Sequence, residues 1–379
     1  KPVTKRRLIC SKPIIITESD SRKSVRSSSY NYDFNKETGF FARWGRTKEE
    51  DPDFGPFPEI LDLEISAGNV APQNHPEQKC RGLCNFCYKG NNEGTKPIHN
   101  LTFEEFKKIL NRFGSGLTQI AFGIMNIYTN PDFFKMMEWA RSKGIIPNYT
   151  THGLDLDDYA VKKTAELCGA VAVSVVNKNK SYDAVERYVN AGMSQCNLHF
   201  MLSEESYDRA FEIIDDIATD FRLKGLNAIV FLQYKRKGNN PDAFHSIMSV
   251  EKYKRLINYC NDKKIKYGFD SCSAGLYMAA IREDENREFL EMCVDSCESG
   301  CYSSYVNCFS EFFPCSFSED EKDWQTGINV LDYEDFVKDV WFHERVQNWR
   351  KKLIASKVNG CRQCLMFPEI NSWSSKDEN

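Results

Sequence analysis

No run of about 18 apolar residues occurs in this 379-residue sequence, so nothing in it is expected to span a bilayer as a helix. The first apolar piece, residues 13–17, follows the basic residues Lys1, Lys5, Arg6 and Arg7 but is too short for the core of a secretory signal. A cytoplasmic location is the expectation. An excess of positive charge is missing as well: 50 Lys and Arg stand against 54 Asp and Glu, the net charge is -4 and the pI is near 6.0. That balance leaves no overall footprint for nucleic acid. Also missing is a fourth metal ligand where three crowd together. Cys80-Arg-Gly-Leu-Cys84-Asn-Phe-Cys87 spaces three cysteines as C-x3-C-x2-C, and the nearest histidines, His75 and His99, are badly placed for a zinc finger.

What is present is sulfur. Fifteen cysteines without an export signal argue against a disulfide framework and for metal-sulfur chemistry. Eight of them fall between Cys272 and Cys364, while Cys10, Cys168, Cys196 and Cys260 are scattered and read as packed thiols. Three thiolates can hold three irons of a [4Fe-4S] cubane and leave the fourth iron open to a ligand with its own donor atoms. The spacing, with the aromatic Phe86 before the last cysteine, resembles the radical S-adenosylmethionine (SAM) enzymes.

Around this loop the chain alternates strand and helix. Residues 59–66 alternate apolar and acidic side chains as a strand does, and they lead by a long Pro-containing segment (67–79) to Cys80. Thr102 and Glu105 make the Thr-x-x-Glu of a capping box, opening a helix that runs to Gly114. Strands are expected at 117–123, 145–151, 170–176, 195–202 and 227–233, with helices at 131–143, 156–168, 182–191, 206–221 and 250–263 and a short strand at 266–269. Six such units imply a parallel sheet covered by helices, which right-handed crossovers curl into a partial barrel. The expected fold class is α/β: a partial (β/α)6 barrel over 56–270, after an N-terminal arm and hairpin at 1–55, and before a small C-terminal α+β domain at 271–379. The family resemblance implies the same barrel. Within the N-terminal piece, 21–29 reads as a mobile arm. The aromatic-rich part from Tyr30, turning at Thr38-Gly39, reads as a hairpin that packs over the barrel or helps to cover substrate.

In such a sheet ligands gather at the carboxyl ends of the strands. The resemblance implies that Phe86 and Tyr88 lie by the adenine of SAM, Tyr88 through its backbone. It places Gly123-Ile-Met125-Asn126 where the family carries a Gly-Gly-Glu type segment for the SAM amino group, with only Gly123 matching. Thr150-Thr151-His152-Gly153 is similar to the Thr-Asn-Gly ending of the family's third strand. Ser174 and Asn177 fall where the ribose or methionyl carboxylate is faced, and Asn197, His199, Leu232 and Gln233 end or line the fifth and sixth strands. Each is also readable as an ordinary polar residue at a strand end, and His152 and His199 as hydrogen-bonded scaffolding. The basic loop at 235–237 reads as a solvated turn, with an acidic substrate as the alternative.

Past residue 270 the composition turns Cys-rich and aromatic. Cys297-x17-Cys315 and, 45 residues on, Cys361-x2-Cys364 resemble the twitch domain, the shortened relative of the SPASM domain, in which four cysteines hold one auxiliary [4Fe-4S] cluster. No cysteine follows Cys364, as a full SPASM domain would require. Glu311 to Cys315 reads as the second strand of a hairpin with a cysteine at its tip, and Gly327-Ile-Asn329, Trp341 and 345–350 as a helical return to Cys361. Ser310 stands where the family has a turn glycine. Cys272, Cys293, Cys301 and Cys308 are spare thiols, any of which can replace one of the four, and Cys293, Cys297 and Cys301 would share one face if helical. A structural zinc on the same four thiolates is the alternative.

The resemblance implies an enzyme, a radical SAM oxidoreductase whose cofactors are SAM, a SAM-binding cluster and an auxiliary cluster. It would cleave SAM reductively and abstract hydrogen from a peptide or protein side chain, drawing electrons from a flavodoxin- or ferredoxin-type donor. A small-molecule dehydrogenase or cofactor-building enzyme is the second expectation. An iron-sulfur electron carrier is the reading from another class. Nucleic acid and membrane are not expected partners.

Overall fold

The computed structural model describes residues 13–68, 80, 84–90, 97–154, 156–238 and 240–375. Cys10, His75 and most of the 67–79 lead-in therefore lie outside the described residues. Strands β1 (Ile15–Glu18), β2 (Arg22–Arg26), β3 (Asn31–Asn35) and β4 (Phe41–Trp44) form an antiparallel meander in that order. The expected arm at 21–29 is thus corrected: most of it is β2, with Lys23 and Val25 turned inward. Its polar letters hide an alternating strand, because the Lys23 ammonium is only 2% exposed and donates to Leu117 O at 2.9 Å. The hairpin from Tyr30 is present as β3 and β4.

This meander packs against the amino-terminal ends of the barrel strands. Tyr32 Oη donates to Gly116 O at 2.8 Å, Arg43 Nη1 donates to Glu59 Oε2 at 2.8 Å, and Tyr30 Oη donates to Glu59 Oε1. Ligands of a parallel barrel bind at the opposite end, so the meander is a floor and the packing role holds.

The central sheet contains β5 (Ile60–Glu64), β8 (Gln119–Gly123), β9 (Ile146–Thr151), β10 (Ala170–Ser174), β11 (Cys196–Leu202), β12 (Ala228–Gln233) and β13 (Tyr267–Phe269), each parallel to its neighbour. A separate two-stranded ladder, β6 (Ser66–Ala67) with β7 (His99–Asn100), follows β5. Between the strands run α1 (Phe103–Phe113), α2 (Phe133–Ser142), α3 (Asp158–Leu167), α4 (Lys178–Asn190), α5 (Tyr207–Thr219) and α6 (Val250–Asp262). Helix α1 begins at the expected box, Thr102 accepting from Glu105 N while Glu105 accepts from Thr102 N, and stops at Gly114 with φ 74°. Leu61 and Leu63 of β5 pack into the helix-covered core. The alternate residues Ile60, Asp62 and Glu64 therefore face the other side, the barrel lumen.

The region after 270 does not stand apart from the barrel. Strand β14 (Ser303–Val306) pairs in parallel with β5, and β15 (Glu311–Phe313) and β16 (Ile328–Asn329) continue the same sheet antiparallel. Gly327-Ile-Asn329 is therefore corrected from helix to strand, since Ile328 pairs with Phe312. A helical segment Phe336–Trp341 and helix α9 (Glu344–Ala355) return the chain as expected. Short helices α7 (Ala274–Ala280) and α8 (Arg287–Glu291) precede β14, but 293–301 is not one helix, so Cys293, Cys297 and Cys301 share no helical face.

Candidate cofactor and metal sites

Strand β5 leads to the cysteine loop at the carboxyl end of the sheet. Cys87 N donates to Cys84 O at 3.0 Å and Gly90 N to Cys87 O at 3.2 Å, so the end of the loop is two consecutive tight turns. Burial pushes the Cys84 thiol up to about 12, and its next influences are Cys80 and Cys87, which marks the three sulfurs as neighbours. Capture of metal is the chemistry that draws the protons from such a group.

The loop is held from three sides. Lys89 reaches Glu64 Oε2 at 2.7 Å, donates to Tyr305 Oη at 2.6 Å and pairs with Glu319, joining the loop to β5, β14 and the segment after Cys315. Tyr88 stacks on Phe317, and Phe86 meets Phe244 edge-on at 5.8 Å. Gly238, at φ 95°, lies so close that a Cβ there would sit 2.0 Å from Cys87 O. The basic loop at 235–237 is consequently not a solvated turn. Lys235 is 4% exposed, and Lys237 donates to Phe317 O at 3.2 Å and to Glu319 O; only Arg236 is turned to solvent, where it pairs with Asp242.

The strand-end residues divide into two groups. Ser174, His199 and Leu232 face the lumen, and Thr150 Oγ1 lies 3.5 Å from His199 Nδ1. Burial holds the His199 imidazole down to about 4, so it is neutral at neutral pH. Gly123 lies beside Glu64, where an added Cβ would come within 3.2 Å of Glu64 Cα. The other group is committed elsewhere. Thr151 Oγ1 accepts from Gly153 N at 3.1 Å, and the Gln233 amide spans Ile247 O at 2.9 Å and Tyr253 Oη at 2.7 Å on the helix side of the sheet. Strand alternation turns those two toward the helices. Asn177 caps α4, accepting from Lys180 N at 3.2 Å, and Met125 and Asn126 are buried, with Asn126 Oδ1 2.7 Å from His152 Nε2.

The second cysteine group surrounds a cavity of about 270 Å³, lined by Cys272, Cys297, Cys315 and Cys364 together with Asp62 and Lys235. Each thiol is placed by local hydrogen bonds. Asp270 caps the turn that carries Cys272, accepting from Ser273 N at 3.1 Å and Ser273 Oγ at 2.6 Å. Cys315 follows β15, whose turn holds Ser310 at φ 67°, the left-handed conformation that suits the expected glycine. Asn371 brackets Cys364, and Phe367 N donates to Cys364 Sγ at 3.4 Å.

Of the expected four, Cys361 does not line this cavity. It is 3% exposed, held in a bridge to Val358, with Cys297 as its thiol neighbour. Cys301 is packed beneath the meander, Cys308 beside Glu64, and Cys293 is exposed. Among the described residues no three His, Cys, Asp or Glu side chains close on a point where one metal ion would sit. Sequence reasoning missed Lys235 and Asp62. Lys235 stands two residues past β12 and Cys272 three past β13, the strand ends where ligands collect.

No protein-family model matches the sequence, and no curated protein matches it. Solved structures do. Streptococcus suis SuiB bound to its precursor peptide SuiA superposes with a TM-score of 0.63 at 12% identity, over 88% of this chain and 90% of SuiB. The enzyme anSMEcpe with bound AdoMet gives 0.55 at 17% identity over 84% and 95%, and its complex with the Cp18Cys peptide 0.52 at 15% over 84% and 96%. SuiB has also been solved with S-adenosylmethionine bound, a structure that superposes with a TM-score of 0.59 at 13% identity. This chain shares their α/β fold with its central parallel sheet. At these identities the likeness is one of fold, and the cysteine geometry carries the chemistry. Among the described residues no helix is long and apolar enough to cross a membrane.

Proposed function

We propose that this chain is a radical SAM enzyme that oxidatively modifies a peptide or protein side chain. The observation that carries the reading is the gathering of Cys80, Cys84 and Cys87 at the carboxyl end of a parallel partial barrel, with no fourth protein ligand in the motif. Bound there, a [4Fe-4S] cluster would supply the electron that cleaves SAM to methionine and a 5'-deoxyadenosyl radical, which abstracts hydrogen from the substrate.

The chain's own residues prepare the lumen for this. Gly123, with no side chain, lets β8 lie close against Glu64 of β5 at the mouth of the lumen. Ser174, Thr150 and the neutral His199 present hydrogen-bonding atoms without a positive charge. Asp62, its carboxyl pushed up to about 6 by burial, faces the cavity wall and is placed to take a proton from an oxidised substrate. Cys272, Cys297, Cys315 and Cys364 would hold an auxiliary cluster. The peptide class is supported by the peptides bound to the two structural neighbours.

The test is anaerobic reconstitution followed by reduction with SAM. The wild-type chain should hold about eight iron and eight sulfide and release 5'-deoxyadenosine. Cys80→Ala, Cys84→Ala and Cys87→Ala should each release none, and undiminished release from any of them would sink the assignment. Absence of SAM binding would favour a plain electron carrier.

A further inference from the structure

Lys235 is a buried cation placed among thiols. Its Nζ donates to Gln233 O at 2.9 Å, meets Asp270 Oδ2 at 3.3 Å and lies 4.3 Å from the Phe317 ring centre, and the side chain lines the same cavity as the Cys272 thiol. Cys364 lines the same cavity. Holding a long side chain at 4% exposure costs entropy and desolvation, and a single carboxylate at 3.3 Å is a weak return for it. Beyond these contacts the cavity around it is walled by Cys272, Cys297, Cys315 and Cys364. Asp270 offsets part of the charge, but its carboxylate is engaged by Ser273 and by Gln233 N at 3.2 Å.

We propose that Lys235 is a positioning and charge-tuning residue for the auxiliary centre: its buried ammonium, in the wall of the cavity that the four thiols line, favours the more negative, reduced form of the cluster. This rests on the auxiliary-cluster reading above. A fixed positive charge in a low-dielectric wall stabilises an added electron, which raises the reduction potential and suits the centre to accept electrons. Lys235 itself changes no bond; one electron enters the centre and the ammonium keeps its proton.

The test uses the full chain with Cys80, Cys84 and Cys87 all changed to Ala, so that only the auxiliary centre reports. Iron and sulfide are counted first, and the midpoint is then followed by EPR during a potentiometric titration. Lys235→Met in this background should move the midpoint to more negative potential, and Lys235→Arg should restore most of it. Asp270→Asn, which keeps the lysine and removes the opposing charge, should move it the other way; this variant decides the matter if Lys235→Met loses its cluster. Midpoints that stay together in the cluster-bearing variants overturn the proposal. A parent without iron overturns the auxiliary-cluster reading itself, and the proposal with it.

Discussion

The rings of Tyr88 and Phe317 stack with centroids 4.4 Å apart and planes inclined by 19°. Tyr88 follows Cys87, and Phe317 lies two residues past Cys315, so one aromatic contact ties the two cysteine groups together. Offset stacks of this kind contribute about 1 kcal/mol beyond the area they bury. Phe317→Leu is expected to lower stability by about 1–2 kcal/mol. A double-mutant cycle with Tyr88→Leu, read by denaturant unfolding of the reconstituted protein, should give a coupling energy of about 1 kcal/mol. Additive losses would show that the stack couples nothing.

Gly238 forms the second tie to the motif. With φ at 95° and no room for a Cβ against Cys87 O, Gly238→Ala must displace either the basic loop or the cysteine loop. The expected result is loss of iron from the first site while the auxiliary cysteines still fill, seen as a fall from about eight to about four iron per chain. Full iron content in this variant would mean that the backbone yields cheaply.

Regular elements were legible in the sequence wherever pattern and punctuation agreed. Thr102, Glu105 and Gly114 bracket α1 to within a residue, and the apolar strands fall where alternation puts them. Residues 21–29 were not legible, because an inward lysine in a short strand looks the same in sequence as an outward one. Lys235 was misjudged for the same reason: its burial depends on Asp270 and the cavity thiols, all distant in the chain. Thr151 and Gln233 show the limit of reading strand ends, since a shift of one position turns a lumen residue into a helix-packing one.

Ser310 tests the hairpin that presents Cys315. A non-glycine residue in the left-handed region costs about 1–2 kcal/mol, while glycine costs about 0.4–1 kcal/mol of extra unfolded-state freedom. Ser310→Gly should therefore raise stability by up to about 1 kcal/mol, visible as a higher unfolding midpoint with cluster content unchanged. A lower midpoint would show that the buried serine side chain contributes more than its backbone strain costs.

His199 sets a pH dependence whose sign follows from its lowered pKa. Between its ordinary 6.5 and about 4 the unfolded chain binds a proton that the folded chain does not. Stability present above about pH 6.5 is lost as the pH falls through that window. His199→Asn should flatten this part of the profile, as judged from urea midpoints at about pH 7 and about pH 4.5. An unchanged profile would place the acid sensitivity on other groups.

The auxiliary ligand set can be separated by two substitutions. Cys272 lines the cavity with Cys297, Cys315 and Cys364, whereas Cys361, whose backbone is bridged to Val358, does not line it. If the cavity marks the cluster, Cys272→Ala removes a ligand and Cys361→Ala removes only a buried thiol. Iron should fall from about eight to about four per chain in Cys272→Ala and stay near eight in Cys361→Ala. The second variant should still lose about 1 kcal/mol of stability from the small void it leaves. The reverse pattern would restore the Cys361-x2-Cys364 pair as ligands and leave Cys272 as a neighbour of Lys235 in the cavity wall, with its thiol free to keep its proton.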